Sequence, residues 1–232
     1  MAQQSQPDDL ATALARMARD LLAQETVQHT VDRIVEHAVA LVDGCEAAGI
    51  VTVESGTPRT LAATNRIAAE ADRIQAELGE GPCLDDTLPE ARVYRVEDMA
   101  TERRWPGYAS KAHEAGIGSA MGFLLYTRDR QLGALNVYGS GAHAFGEHSE
   151  HVGWLLASHA AVAFASARSD AELQRAIASR QEIGEALGIV MERHKIGEDE
   201  AFDLLRRHSQ ERNVKLREVA RHLTRTGEIP GP

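Results

Sequence analysis

The sequence predicts two bodies of different class: an α+β domain with a mixed, largely antiparallel sheet, joined by a long helix to a small all-α unit of three helices. Three observations carry this. Short β-type runs alternate with helical spacings as far as LGALNVYG, which ends at Gly139. The span from Glu147 to His194 then contains no proline and only isolated glycines, several times the usual helix of about 11–12 residues. Beyond it the spacing stays helical and no strand pattern returns.

The elements follow in order. Residues 1–24 form an N-terminal amphipathic helix, because Leu10, Leu14, Met17 and Leu21 recur three and four apart. Such a face packs against something, either this chain or a second copy. Residues 25–167 make the α+β body. It opens with a helix carrying Val27, Val31, Ile34, Val35, Ala38 and Leu41 and closed by Asp43-Gly44. AAGIVTVES and TPRTLAAT then form a hairpin across Ser55-Gly56-Thr57-Pro58. Asn65–Leu78 is helical, with Ile67, Ala71, Ile74 and Leu78 in phase. ARVYRVED, SAMGFLLYT and LGALNVYG supply three more strands, the last two joined by Arg128-Asp129-Arg130-Gln131.

Within the long helix, HVGWLLASHAAVAFA is apolar enough to dock on the sheet, and a break near Ser166–Ser169 is admissible. Further on, Leu173, Ala176, Arg180, Ile183, Leu187 and Val190 form a stripe suited to a coiled-coil or bundle seam. Residues 168–227 are the helical trio. After Gly197, Glu198–Gln210 buries Ala201, Phe202, Leu204 and Leu205, and a third helix capped by Asn213 buries Leu216, Val219, Ala220 and Leu223. Residues 228–232 are a tail.

Composition narrows the function. With 43% hydrophobic and 26% charged residues in 232, the chain can bury a core in one medium and one small domain. The start has neither a basic nor an apolar run, and no stretch approaches the roughly 20 apolar residues that span a bilayer, so a cytoplasmic protein without membrane contact is expected. Cys45 and Cys83 are too few for a disulfide framework and lack metal or redox spacing. The net charge of −10 conceals an asymmetry: from Arg206 to Arg225 seven basic side chains face only Glu211 and Glu218.

SRQEIGEALGIVMERHKIGEDEAFDLLRRHSQERNVKLREVARHL, Ser179 to Leu223, closely resembles the ANTAR family. GEGPCLDD, Arg104-Trp105-Pro106, LGALNVY and AFGEHSEHVGWLLASHAAVAFA are similar to the GAF domain that precedes ANTAR in many actinobacterial regulators. The resemblance implies a sensory α/β module that holds a small ligand between sheet and loops. It also implies a three-helix domain that binds paired stem-loops in nascent RNA and antagonises transcription termination. A homodimer through the long helix is implied as well, since two copies grip two stem-loops.

The chemistry of RNA binding asks for cations against phosphates. Arg206, Arg207, Arg212, Arg217 and Arg221 supply them, while Arg180 and Lys215 match recurrent basic positions of the family. The bland alternative pairs Asp203 with Arg207 and Glu218 with His222 as solvated helix neighbours. Cys83, Trp105, Met121 and Phe123 are the candidates for the ligand site, with sheet core as the competing reading of each. The signal is a small molecule or a redox change, and no cofactor is implied. His143, His148 and His151 with Glu147 and Glu150 lack a completed zinc pattern, so no metal is assigned. Two other functions compete: a GAF-fold thiol-dependent reductase, for which the expected cysteine set is missing, and a protein-interaction module.

Overall fold

The computed structural model describes residues 5–85, 93–128 and 130–228, with side chains from residue 10. Asp86, Ala91, Arg92, Asp129 and all of the tail except Glu228 lie outside the described residues. The chain divides into two compact units, 1–168 and 169–232.

The first unit is built on a five-stranded sheet of order β2-β1-β5-β4-β3, from β1 (Ala47–Glu54), β2 (Thr57–Ala63), β3 (Val93–Val96), β4 (Ser119–Tyr126) and β5 (Gln131–Gly139). Every pairing is antiparallel. The β1–β2 turn is two residues long, with Ser55 and Gly56 both at positive φ, the twist that suits a tight hairpin. Pro58 is tolerated because β2 is an edge strand.

Alternation along each strand divides the interior into two layers. On one face, α1 (Ser5–Leu22), α2 (Val27–Leu41) and the start of α5 (Glu147–His194) cover Ile50, Met121, Phe123, Leu135 and Val137. The N-terminal helix buries Leu14, Met17 and Leu21 in this layer of its own chain, and Asp20 ties it to α2 by accepting from Arg33 at 2.9 Å and His37 at 2.7 Å. On the other face, α3 (Arg66–Leu78) and α4 (Pro106–Glu114) cover Ala47, Tyr94, Ala120 and Tyr138. Asn65 caps α3 by accepting from the Ile67 and Ala68 amides at 3.0 and 3.2 Å. The helix α4 is an addition to the sequence reading; Pro106 at its first turn is the signal that announces it.

The long helix is continuous from Glu147 to His194, without a break at Ser166–Ser169. In the second unit, Ala186 and Val190 of α5, Ala201 and Leu205 of α6 (Glu198–Arg212), and Val219, Ala220 and Leu223 of α7 (Leu216–Thr226) form the core. The predicted seam is therefore divided. Val190 is buried inside the trio, with Ile183 and Leu187 packed against the same core, while Leu173 stays exposed. Two further expectations are corrected. Asn213 does not cap α7; it ends α6 in the left-handed conformation (φ 53°), and Lys215 stands at the cap position of α7. Phe202 is not core but 38% exposed, because Ala201 and Leu205 take the inward positions. Among the described residues no helix is long and apolar enough to cross a membrane.

Candidate functional site

Two regions carry chemistry, one in each unit. In the first, a cavity of about 500 Å³ opens between the sheet and the segment that follows α3, within the roughly 300–1,000 Å³ range of small-molecule sites. Its wall is apolar at Val51, Val93 and Leu124 and polar at Cys83, Asp85 and Tyr94. Gly122 makes the floor possible. A Cβ there would come within 1.9 Å of the Tyr94 ring, so only glycine lets the tyrosine lie across β4.

Behind this wall sits a buried polar group. Tyr94 Oη donates to Asn136 Oδ1 at 3.2 Å, Asn136 Nδ2 donates to Cys83 Sγ at 3.5 Å, and the Cys83 amide donates to Gln75 Oε1 at 2.9 Å. Asp72 is 3% exposed. It accepts from the Thr60 hydroxyl at 2.7 Å through one oxygen, while its other oxygen has no hydrogen-bond partner. Burial pushes its carboxyl up to about 6, against the lowering effect of Thr60. The Tyr108 and Tyr138 hydroxyls and Gln75 Nε2 are likewise buried without partners.

Burial also pushes the Cys83 thiol up to about 12, with the Asp72 charge adding to the effect. The charge that adds to burial is that of Asp72 on α3 rather than that of the adjacent Asp85, which accepts from Trp105 Nε1 at 3.0 Å. Cys45 is also raised to about 12 by burial. At neutral pH both sulfurs are protonated and poorly nucleophilic.

Of the four residues expected at the ligand site, Cys83 lines the cavity. Trp105 is buried behind it, edge-on to Tyr94 with ring centroids 6.0 Å apart and joined to the wall through Asp85. Met121 and Phe123 are corrected: strand alternation turns them to the opposite face, under α2 and α5, and gives the cavity Gly122 and Leu124 instead. Asp72, Gln75 and Asn136 were not singled out in the sequence, although two polar residues on the alanine-lined face of α3 were a legible signal.

In the second unit the cations are distributed over three helices. Arg217, Arg221 and Arg225 stand four apart on α7. Arg221 is exposed and paired in fork fashion with Glu182 of α5, at 2.9 and 3.1 Å. Its guanidinium is held above the ordinary arginine range by that hydrogen bonding. Arg217 is half-buried, with Nε lacking a hydrogen-bond partner. On α6, Arg206 pairs with Asp203 at 2.9 Å, which replaces the expected Asp203–Arg207 partnership. Arg207 and Lys215 are exposed and Arg212 is half-buried at the end of α6. Arg180 stands apart: two residues from Glu182 on α5, it points about 160° around the helix from the side that meets Arg221. Phe202 is exposed one turn before Arg206, giving this surface an aromatic face that the sequence reading had placed in the core.

Among the described residues no group of three His, Cys, Asp or Glu side chains gathers to hold a metal. His143 lies 3.5 Å from Glu97, and His148 and His151 are on the first turns of α5.

Residues 24–165 match the GAF domain family and residues 171–223 match the ANTAR domain family. Solved structures similar to the chain include the GAF domain of a phosphoenolpyruvate-protein phosphotransferase from Coxiella burnetii, 17% identical, covering 70% of this chain and 96% of that one with a TM-score of 0.54. The corresponding Acinetobacter domain is 14% identical, covering 70% and 97% at 0.53. A phytochrome photosensory core module from Stigmatella aurantiaca is 12% identical, covering 90% of this chain and 46% of that one at 0.62. At these identities the likeness concerns fold. No curated protein matches the chain.

Proposed function

Because the chain belongs to the GAF domain family and carries an ANTAR domain behind it, we propose that it is a signal-dependent RNA-binding regulator that grips paired stem-loops in nascent transcripts and antagonises termination. The observation that carries the reading is the cationic face of the helical trio, on an otherwise acidic chain. Lys215, Arg217 and Arg221 meet phosphates along α7, and Arg206, Arg207 and Arg212 extend the surface over α6. Phe202 and the guanidinium planes stack on unpaired loop bases. Arg221, itself exposed, exchanges the half-buried Glu182 for phosphate, a swap of one surface partner for another.

The input enters through the cavity of the first unit. Its described wall offers a carboxylate, a neutral thiol, a tyrosine and apolar side chains, without Lys, Arg or His. That lining favours an uncharged or cationic, mostly apolar molecule over a phosphate-bearing one. For the molecule to act, it must bind the RNA-competent state more tightly than the other. Two copies of the chain serve two stem-loops. A thiol-based catalytic reading is disfavoured by sulfurs that remain protonated at neutral pH.

Charge reversal at Arg217→Glu and Arg221→Glu, measured by titration of a hairpin-bearing RNA, is expected to weaken binding by at least tenfold per substitution and to flatten its salt dependence. Unchanged affinity in the folded double variant would remove the cationic face from the account.

A further inference from the structure

A polar atom buried without a partner is rare, because it has given up its hydrogen bonds to water and gained none. Among the described residues six side-chain N or O atoms stand so, and four of them gather in the layer between the sheet and α3 and α4: Asp72 Oδ1, Gln75 Nε2 and the Tyr108 and Tyr138 hydroxyls. Asp72 and Gln75 are three residues apart on α3 and share its buried face, while Tyr108 stands on α4 and Tyr138 on β5. Burial first, and the Asp72 charge with other neighbours after it, raises both tyrosine hydroxyls, so the tyrosines and the carboxyl belong to one neighbourhood. No cation answers them, since none of the buried polar residues described is Lys, Arg or His. The layer adjoins the cavity. Cys83 and Tyr94 line the cavity and also reach Asn136 behind it, and the Asn136 contact to the Cys83 thiol, at 3.5 Å, is a weak one because sulfur is a poor acceptor.

We propose that this layer receives the head group of the cavity's ligand, and that the ligand is an uncharged primary carboxamide on an apolar body. The inference rests on the reading that the cavity takes in the signal, and it names the chemistry of that signal. The donor and acceptor inventory selects the carboxamide. The Asp72 carboxylate only accepts, Gln75 Nε2 only donates, and each tyrosine hydroxyl can do either. A carboxamide brings two N–H donors and a carbonyl with two lone pairs, which matches all four atoms. One N–H goes to Asp72 Oδ1, the carbonyl accepts from Gln75 Nε2, and the tyrosine hydroxyls take the second N–H and the second lone pair. An ammonium has donors alone and leaves Gln75 Nε2 unanswered; a carboxylate has acceptors alone and meets the Asp72 charge. Either ion also loses more hydration than an amide does on entering a buried layer. The apolar body stays in the cavity against Val51, Val93 and Leu124, and the head passes where the weakly held Cys83 thiol turns aside.

The test titrates the full chain, without RNA, with three probes of similar size: benzamide, benzylamine and benzoate. Benzamide should bind roughly tenfold tighter than either ion at neutral pH. Tyr108→Phe and Tyr138→Phe should each raise the melting temperature of the ligand-free chain, by removing a hydroxyl that lacks a partner, and yet weaken benzamide about fivefold. A tyrosine with a structural role alone would not move the two readings in opposite senses. Benzylamine as the tightest probe would overturn the carboxamide in favour of a cation, and equal binding of all three would overturn it in favour of the apolar cavity alone. Tyrosine variants that lose stability and bind benzamide unchanged would show that the layer holds water instead of a ligand. Affinity for a two-hairpin RNA is measured in parallel. A chain that grips the hairpins but ignores benzamide defeats this inference alone, whereas one that binds benzamide as described with no change in hairpin affinity upholds the site and defeats the reading of the cavity as the input.

Discussion

Asp72 is the residue whose environment is least comfortable. Its carboxyl is buried, has one hydroxyl donor and titrates near 6 rather than at its ordinary 3.8. A raised carboxyl pKa means the folded state holds its proton longer than the unfolded chain, so this contribution to stability is present below about 4 and is lost as pH rises through about 6. Asp72→Asn should therefore raise stability at pH 7 by about 2 kcal/mol and flatten the pH dependence between those values. Denaturant titration at pH 4.5 and 7 checks this, and an Asn variant less stable at pH 7 would show that the charge is held by partners beyond Thr60. The same residue shows why the sites were less legible than the fold. Met121 and Phe123 stood between ligand site and sheet core in the sequence, and only register tells which face a strand residue takes. Phe202 looked like core by its apolarity, yet its two neighbours on the inward side, Ala201 and Leu205, leave it outside.

At the scale of elements the sequence was more informative. Hairpin chemistry at Ser55-Gly56 and periodicity in α1, α2 and α3 place those elements where they occur. What failed were signals with two readings. Asn213 suits either a helix N-cap or a left-handed C-cap, and the structure uses the second. The stripe from Leu173 to Val190 is one pattern in the chain but serves a partnerless face and then a core. The glycines of α5 also differ by surroundings. A Cβ at Gly153 would lie 2.3 Å from the Phe123 ring, whereas nothing approaches Gly184 within 4 Å. Gly153→Ala should thus destabilise by about 1 kcal/mol despite the better helix former, since overpacking costs about 1–3 kcal/mol. Gly184→Ala should stabilise by about 0.5–1 kcal/mol. Thermal unfolding of the two variants decides the matter, and shifts of the same sign would mean α5 does not press on Phe123 as described.

For the whole molecule, the division of labour follows from charge and burial. The first unit is acidic and opens a cavity whose wall joins apolar side chains to Asp85, Cys83 and Tyr94. The second has a small core and concentrates its cations between Arg206 and Arg225. The central claim is that these cations bind structured RNA, and the most direct measurement is the affinity of the full chain for an RNA bearing two adjacent hairpins as salt is raised. The account predicts a linear fall of log K with log salt, and a slope lowered by about one for each of Arg217 and Arg221 replaced by alanine. Binding that ignores salt, or no binding at low ionic strength, would contradict it.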